Sequence, residues 1–281
     1  MLENFFLLLS QNDWLLYTVT GVLGLCIGSF LNVVIHRLPM ILKKDWHNEC
    51  QLFLHPENPE LITDKLTLSF PHSRCPECKT RIKWYQNIPV ISWIVLRGKC
   101  GTCKHPISCL YPFIELLTCI LSIAVVFKFG ATSQAFFGLI LTWSLITLTF
   151  IDFAEQILPD RIVFPLIGLG LILSTYSIYI PSGISIWGAV IGFLSLWIVY
   201  ILFKLITGKE GMGYGDFKLL AACGAWFGAL SLPSVIIISS VLGSIVGIYF
   251  LKVKKVSMPF AFGPYIAVAI WIHFMFGSLI G

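Results

Sequence analysis

Apolar residues fall in long, nearly uninterrupted stretches along this chain. Eight of them, at 14–35, 110–128, 135–151, 161–180, 185–206, 217–231, 233–251 and 259–280, are long enough, or nearly so, to cross a bilayer as helices. The third and sixth are short. Between the first and second lies a polar stretch, 36–109, far longer than an ordinary connection between helices. The pattern predicts an all-α polytopic membrane protein of about eight transmembrane helices, with a small domain between the first and second. It divides the chain into 1–35 (N-terminal segment and first span), 36–109 (the polar domain) and 110–281 (seven further spans).

Composition agrees with the pattern. Hydrophobic residues make up 57% of the chain and charged residues only 12%, against about 25% charged in a soluble domain. The net charge of +5 comes mostly from one loop, so it is no sign of nucleic-acid binding. The chain opens Met1-Leu-Glu-Asn4, with no basic segment, and no small-residue cleavage site follows 14–35. That stretch is therefore expected to be a retained span rather than a cleaved signal peptide.

Lysine and arginine set the expected orientation. Eleven of the nineteen lie in 36–109: Arg37, Lys43, Lys44, Lys65, Arg74, Lys79, Arg81, Lys83, Arg97, Lys99 and Lys104. With that loop in the cytoplasm, 152–160, 207–216 and 252–258 face the same side and carry Lys209, Lys252, Lys254 and Lys255. The opposite connections, 129–134, 181–184 and around 232, carry none, with Lys128 at the border of one. Eight spans follow, with both termini outside.

Against this background two carboxylates stand out. Asp152 ends the third span, and Asp216 begins the sixth within Gly211-Met-Gly-Tyr-Gly-Asp216. Both fall at the cytoplasmic membrane boundary, where an ionised carboxylate loses hydration and marks a functional position. Two acids close together cannot both ionise easily. One then holds a proton and the other acts as a base, which suits hydrolysis by an aspartic dyad. Gly211, Gly213 and Gly215 remove side chains ahead of Asp216, so a substrate backbone or a partner helix can approach. The competing account makes Asp216 an N-cap of the sixth helix and Asp152 a cap or surface residue. Asp160 reads as the N-cap of the fourth span and Glu155 as solvated. The glycine run lacks the third glycine of G-x-G-x-x-G and a preceding strand, which excludes a nucleotide loop.

The nine cysteines are odd in number, and four fall in a C-x2-C-x21-C-x2-C pattern: Cys75, Cys78, Cys100 and Cys103. Two such knuckles give the tetrahedral S4 set that suits structural zinc, Zn2+, in a reducing compartment. His72, His105 and Cys109 flank the set as alternative ligands. Cys26, Cys119 and Cys223 fall in spans and are expected to pack there. His47, Cys50 and His55 are expected on the surface. Gly24/Gly28, Gly188/Gly192, Gly224/Gly228 and Gly243/Gly247, with Ala221, Ala225 and Ala229, are small-residue pairs of the kind that let helices approach in a membrane.

Five stretches together resemble the type IV prepilin peptidases, or leader peptidase/N-methyltransferases. They are Gly28–Pro39, Ser73–Glu115, Ile151–Asp160, Gly211–Leu220 with Gly224–Gly228, and Phe262–Tyr265. The resemblance covers nearly the whole chain and shows no departure at a motif position. It implies that Asp152 and Asp216 are catalytic and that Cys75, Cys78, Cys100 and Cys103 form the tetracysteine motif. It implies removal of prepilin and pseudopilin leaders at the cytoplasmic face of a bacterial inner membrane. N-methylation of the new N-terminus from S-adenosylmethionine would follow. The sequence assigns no residue to methyl transfer. Two other classes fit parts of the pattern: a proton-coupled transporter, and a non-catalytic zinc-bearing assembly factor. The transporter wants mid-span charges and internal repeats, and the chain has neither.

Overall fold

The computed structural model describes residues 12–55, 67–70, 72–75, 77–254 and 261–280. Lys65, Lys255 and the first residues of the eighth apolar stretch lie outside the described residues. The chain divides into two compact units, Met1–Ala131 and Thr132–Gly281. Among the described residues there are eight apolar helices of fourteen residues or more and no strand beyond two isolated bridges.

The first unit is a helix pair with the polar loop between its members. Helix α1 spans Asp13–Leu54 and begins at Asn12, whose side chain accepts from the Leu15 N–H. The sequence places the end of this span near residue 35, but the helix continues through Pro39. Proline removes one N–H from the ladder, yet Leu38, Ile41 and Leu42 are buried and carry the helix on. At 1.5 Å per residue, its 42 residues extend about 63 Å, twice the ~30 Å hydrocarbon core. His47, Cys50 and His55 lie exposed on this extension and beyond it. A five-residue helix, α2 (Ile91–Val95), lies in the loop, and α3 spans Leu110–Phe129.

Gly24 and Gly28 bring α1 and α3 into backbone contact. A Cβ at Gly24 would lie 2.8 Å from Cys119 Cα, and one at Gly28 would lie 2.7 Å from Glu115 Cα. Buried Asn32 donates from Nδ2 to the Tyr111 carbonyl at 3.1 Å. Glu115 accepts from the Val90 N–H at 2.7 Å and so ties the loop to α3. Cys26 is exposed, contrary to the packing role expected for it, whereas Cys119 is half-buried and Cys223 buried.

The second unit holds α4 (Ser133–Glu155), α5 (Asp160–Thr175), α6 (Ser182–Thr207), α7 (Tyr214–Phe227), α8 (Leu232–Lys254) and α9 (Gly263–Ile280). Helix α7 is its centre, with every residue from Phe217 to Trp226 buried except Lys218. A helix apolar all round belongs inside a protein, and α7 packs on α5, α6, α8 and α9. Its contact with α6 is backbone on backbone: a Cβ at Gly188 would overlap the Gly224 carbonyl, and one at Gly192 would lie 2.6 Å from the Leu220 carbonyl. Ser185 Oγ donates to the Ala225 carbonyl at 2.6 Å across this seam. Trp226 Nε1 donates to the Leu166 carbonyl of α5 at 2.8 Å. Of the pair Gly243/Gly247, Gly247 makes no comparable seam, since a Cβ there would meet nothing within 4 Å.

Five helices among the described residues are long and apolar enough to cross a membrane: α1, α3, α4, α6, and the stretch Ala229–Tyr249 containing most of α8. Helices α5, α7 and α9 are shorter. The fourth span is read as 161–180, but α5 ends at Thr175 and the chain turns at Tyr176 and Ser177.

Candidate active site and metal centre

Two helix ends and two loops build one polar cavity in the second unit. It has a volume of about 130 Å³ and is lined by Asp152, Gln156, Leu158, Gly213, Gly215, Asp216, Ala261 and Phe262. The two aspartates, 64 positions apart in sequence, thus face the same space. Both are nearly buried, at 5% exposure for Asp152 and 7% for Asp216.

Each acid lies beside the backbone of a glycine. Asp216 is the third residue of α7, whose N-cap is Gly213, and its carboxylate turns back toward that glycine, where a Cβ would stand 4.0 Å from Oδ2. The N-terminal end of the helix dipole also favours negative charge there. Asp216 is therefore not the N-cap residue itself. Asp152 lies in the last turn of α4, and its carboxylate lies against Gly263, the first residue of α9, where a Cβ would stand 2.5 Å from Oδ2. Close aromatic contact between Phe153 and Tyr265, with centroids 6.2 Å apart, joins the same two helices. Farther along, Trp271 Nε1 donates to Thr142 Oγ1 at 3.2 Å.

The three glycines before Asp216 have different surroundings. A Cβ at Gly215 would lie 2.8 Å from Leu158 Cβ, so this glycine admits the α4–α5 connection. Gly213 borders the cavity, and a Cβ there would meet only Asp216 Oδ2, at 4.0 Å. Gly211 packs on the Phe203 ring and does not line the cavity. Glu210, just before it, pairs with Lys204 at 2.7 Å. The hydrogen bond from Lys204 and its charge hold the Glu210 carboxyl below its ordinary range.

Asp160 does not cap its helix. Pro159 is the N-cap of α5, and Asp160 sits in the first turn, where both carboxylate oxygens accept from Lys218 Nζ at 2.7 and 2.9 Å. Glu155 is exposed, as a solvated residue should be. Sequence reasoning assigned no role to Gln156, Leu158 or Gly263. Leu158 and Gly263 lie in stretches that carry the resemblance, but a lone glycine or leucine does not reveal what approaches it.

The first unit carries the second constellation. The four sulfur atoms of Cys75, Cys78, Cys100 and Cys103 lie within 4.8 Å of one another. His72, His105 and Cys109 are not members of this cluster. Its halves are built alike. In one, the Cys75 N–H donates to the Thr80 carbonyl and the Lys79 N–H to the Cys75 carbonyl. In the other, the Cys100 N–H donates to the His105 carbonyl and the Lys104 N–H to the Cys100 carbonyl. Lys79 and Lys104, each directly after the second cysteine of its pair, are both left-handed, at φ 56° and 60°. The Cys75 and Cys103 sulfurs are 3.7 Å apart. Sulfurs at the corners of a tetrahedron with ~2.3 Å metal bonds stand about 3.8 Å apart, so the set fits one tetrahedral metal ion. Hydrogen bonds from the Thr80 side chain and backbone lower the Cys78 thiol to about 6, which favours the thiolate a metal needs.

Two family models match the chain. The Bacterial Peptidase A24 N-terminal domain covers residues 22–129 and the Type IV leader peptidase family covers 139–248. Three similar proteins, from Stutzerimonas stutzeri, Pseudomonas putida and Legionella pneumophila, each bear the name prepilin leader peptidase/N-methyltransferase. The first is 49% identical, over 92% of this chain and 90% of its own. The second is 48% identical, over 93% and 91%, and the third 41%, over 97% and 96%. No solved structure matches. Similarity of this extent, over both units, means that the chain belongs to the type IV leader peptidase family.

Proposed function

We propose that this protein removes the leader of type IV prepilins and pseudopilins by hydrolysis at Asp152 and Asp216, and then N-methylates the exposed N-terminus. The convergence of two nearly buried carboxylates on one cavity carries the hydrolytic part. One carboxylate takes a proton from water, which attacks the scissile carbonyl. The other, protonated, gives its proton to the carbonyl oxygen; as the tetrahedral diol collapses it takes that proton back, and the first acid passes the proton from water to the leaving amine. The two share their titration, and no acyl-enzyme forms.

Residence in the bilayer does part of the positioning. The apolar segment of a prepilin lies among the lipids beside the spans, with its cleavage site at the depth of the cavity. The distribution of lysine and arginine supports a multi-pass inner-membrane protein with loop and cavity toward the cytoplasm. Cys75, Cys78, Cys100 and Cys103 would hold zinc. A closed four-thiolate shell keeps no open position, so the ion would supply folding energy to the loop rather than chemistry. Methyl transfer from S-adenosylmethionine rests on the relatives' names.

The test is incubation of membranes with a prepilin, using wild type, Asp152→Asn and Asp216→Asn. Loss of the shortened product in both variants, with normal insertion, is the expected result. Normal cleavage by either would remove the dyad. Proton-coupled transport without cleavage by wild type would point to a transporter, and prepilin binding without cleavage to an assembly factor.

A further inference from the structure

The α4–α5 connection touches both helix starts that hold the acids. Leu158 is the contact. Its Cβ would meet a Cβ at Gly215, and its Cδ1 would lie 2.9 Å from one at Gly263. Gly215 immediately precedes Asp216, and Gly263 abuts the Asp152 carboxylate. Leu158 therefore fills the notch between the beginnings of α7 and α9, and the separation of the two acids depends on where it sits.

Two residues further on, Asp160 receives both of its hydrogen bonds from Lys218 Nζ, at 2.7 and 2.9 Å. Lys218 follows Asp216 by two positions on α7 and lies over the Phe164 ring of α5, 5.1 Å from its centroid. It is only 24% exposed, while Asp160 is 52% exposed. The pair ties the connection bearing Leu158 to the helix bearing Asp216. An exposed pair adds little to stability, yet a displacement of ~1 Å at reacting groups can cost about 100-fold in rate. The placement of this pair thus matters more for rate than for folding.

We infer that Asp160 and Lys218 are positioning residues of the aspartic dyad: their ion pair seats Leu158 between Gly215 and Gly263 and so fixes the distance between the two carboxylates. Neither touches the reacting atoms. The inference rests on the hydrolytic role of Asp152 and Asp216 proposed above.

The test uses the full chain in nanodiscs with a prepilin substrate, comparing Lys218→Met, Asp160→Asn, their combination, Lys218→Arg, and the reversed pair Asp160→Lys with Lys218→Asp. Each of the first two should lower kcat by about 10- to 100-fold while KM stays within about 2-fold. The combination should be no slower than the slower single variant, because both remove one interaction. Lys218→Arg, which keeps the charge and donors, should retain most of the rate, and the reversed pair should recover part of it. Wild-type kcat in both single variants would overturn the inference. So would losses that follow Tm and are not relieved by Lys218→Arg or by reversal. Asp216→Asn is run beside them. If it still cleaves, the dyad itself is lost. If it is inactive while the single pair variants cleave normally, only the positioning role falls.

Discussion

The Asp152 carboxylate lies against the backbone of Gly263: a Cβ at that glycine would stand 2.5 Å from Asp152 Oδ2. No side chain fits between them. The same Cβ would also lie 2.9 Å from Leu158 Cδ1. Gly263→Ala should therefore displace the Asp152 carboxylate. We expect a fall in kcat of at least about 10-fold with ordinary membrane insertion, measured on purified enzyme at saturating prepilin. A variant that cleaves at the wild-type rate would show that this close approach is not needed.

Gln156 closes α4 in the left-handed conformation, at φ 55° and ψ 38°, and also lines the cavity. Glycine is the usual residue for that backbone, and a side chain there costs about 1 kcal/mol. Keeping glutamine at such a place suggests work inside the cavity. Gln156→Gly should raise Tm slightly while slowing cleavage. Thermal unfolding and a rate assay on the same preparation check both halves, and unchanged cleavage would leave the strain without a function.

The four thiolates should carry one metal ion per chain. Metal analysis of purified protein should find about one zinc, lost in the Cys75→Ser/Cys78→Ser double variant or after chelation. Loss should make the loop between α1 and α3 sensitive to protease while α4–α9 stay protected. Acidification should release the ion as well, since protons compete for the sulfurs.

Gly188 and Gly224 meet backbone to backbone. Gly188→Val adds bulk where neither helix can yield, and overpacking of a core commonly costs about 1–3 kcal/mol. The expected outcome is a lowered Tm. The matching change at Gly247, where a Cβ meets nothing, should leave Tm near that of wild type.

Much of this was open to reading from the residues. Length and apolarity revealed the spans, because lipid leaves the backbone few alternatives. Cysteine spacing revealed the sulfur cluster, and the rarity of acids at span ends picked out Asp152 and Asp216. Other features were not legible. The run from His36 onward carries charges and the helix breaker Pro39, so local signals say stop, whereas α1 continues with Leu38, Ile41 and Leu42 buried. Asp160 has a good capping residue's chemistry, but Lys218, 58 positions away, claims it. Gly263 has no side chain to announce its partner.

The shortness of α7 is possible because of where it sits. Its fourteen residues measure about 21 Å, well under a ~30 Å hydrocarbon core, yet its neighbours are α5, α6, α8 and α9. A helix sheathed in protein need not match the thickness of a bilayer. Its first turn is then free to begin at whatever depth the chemistry of Asp216 requires.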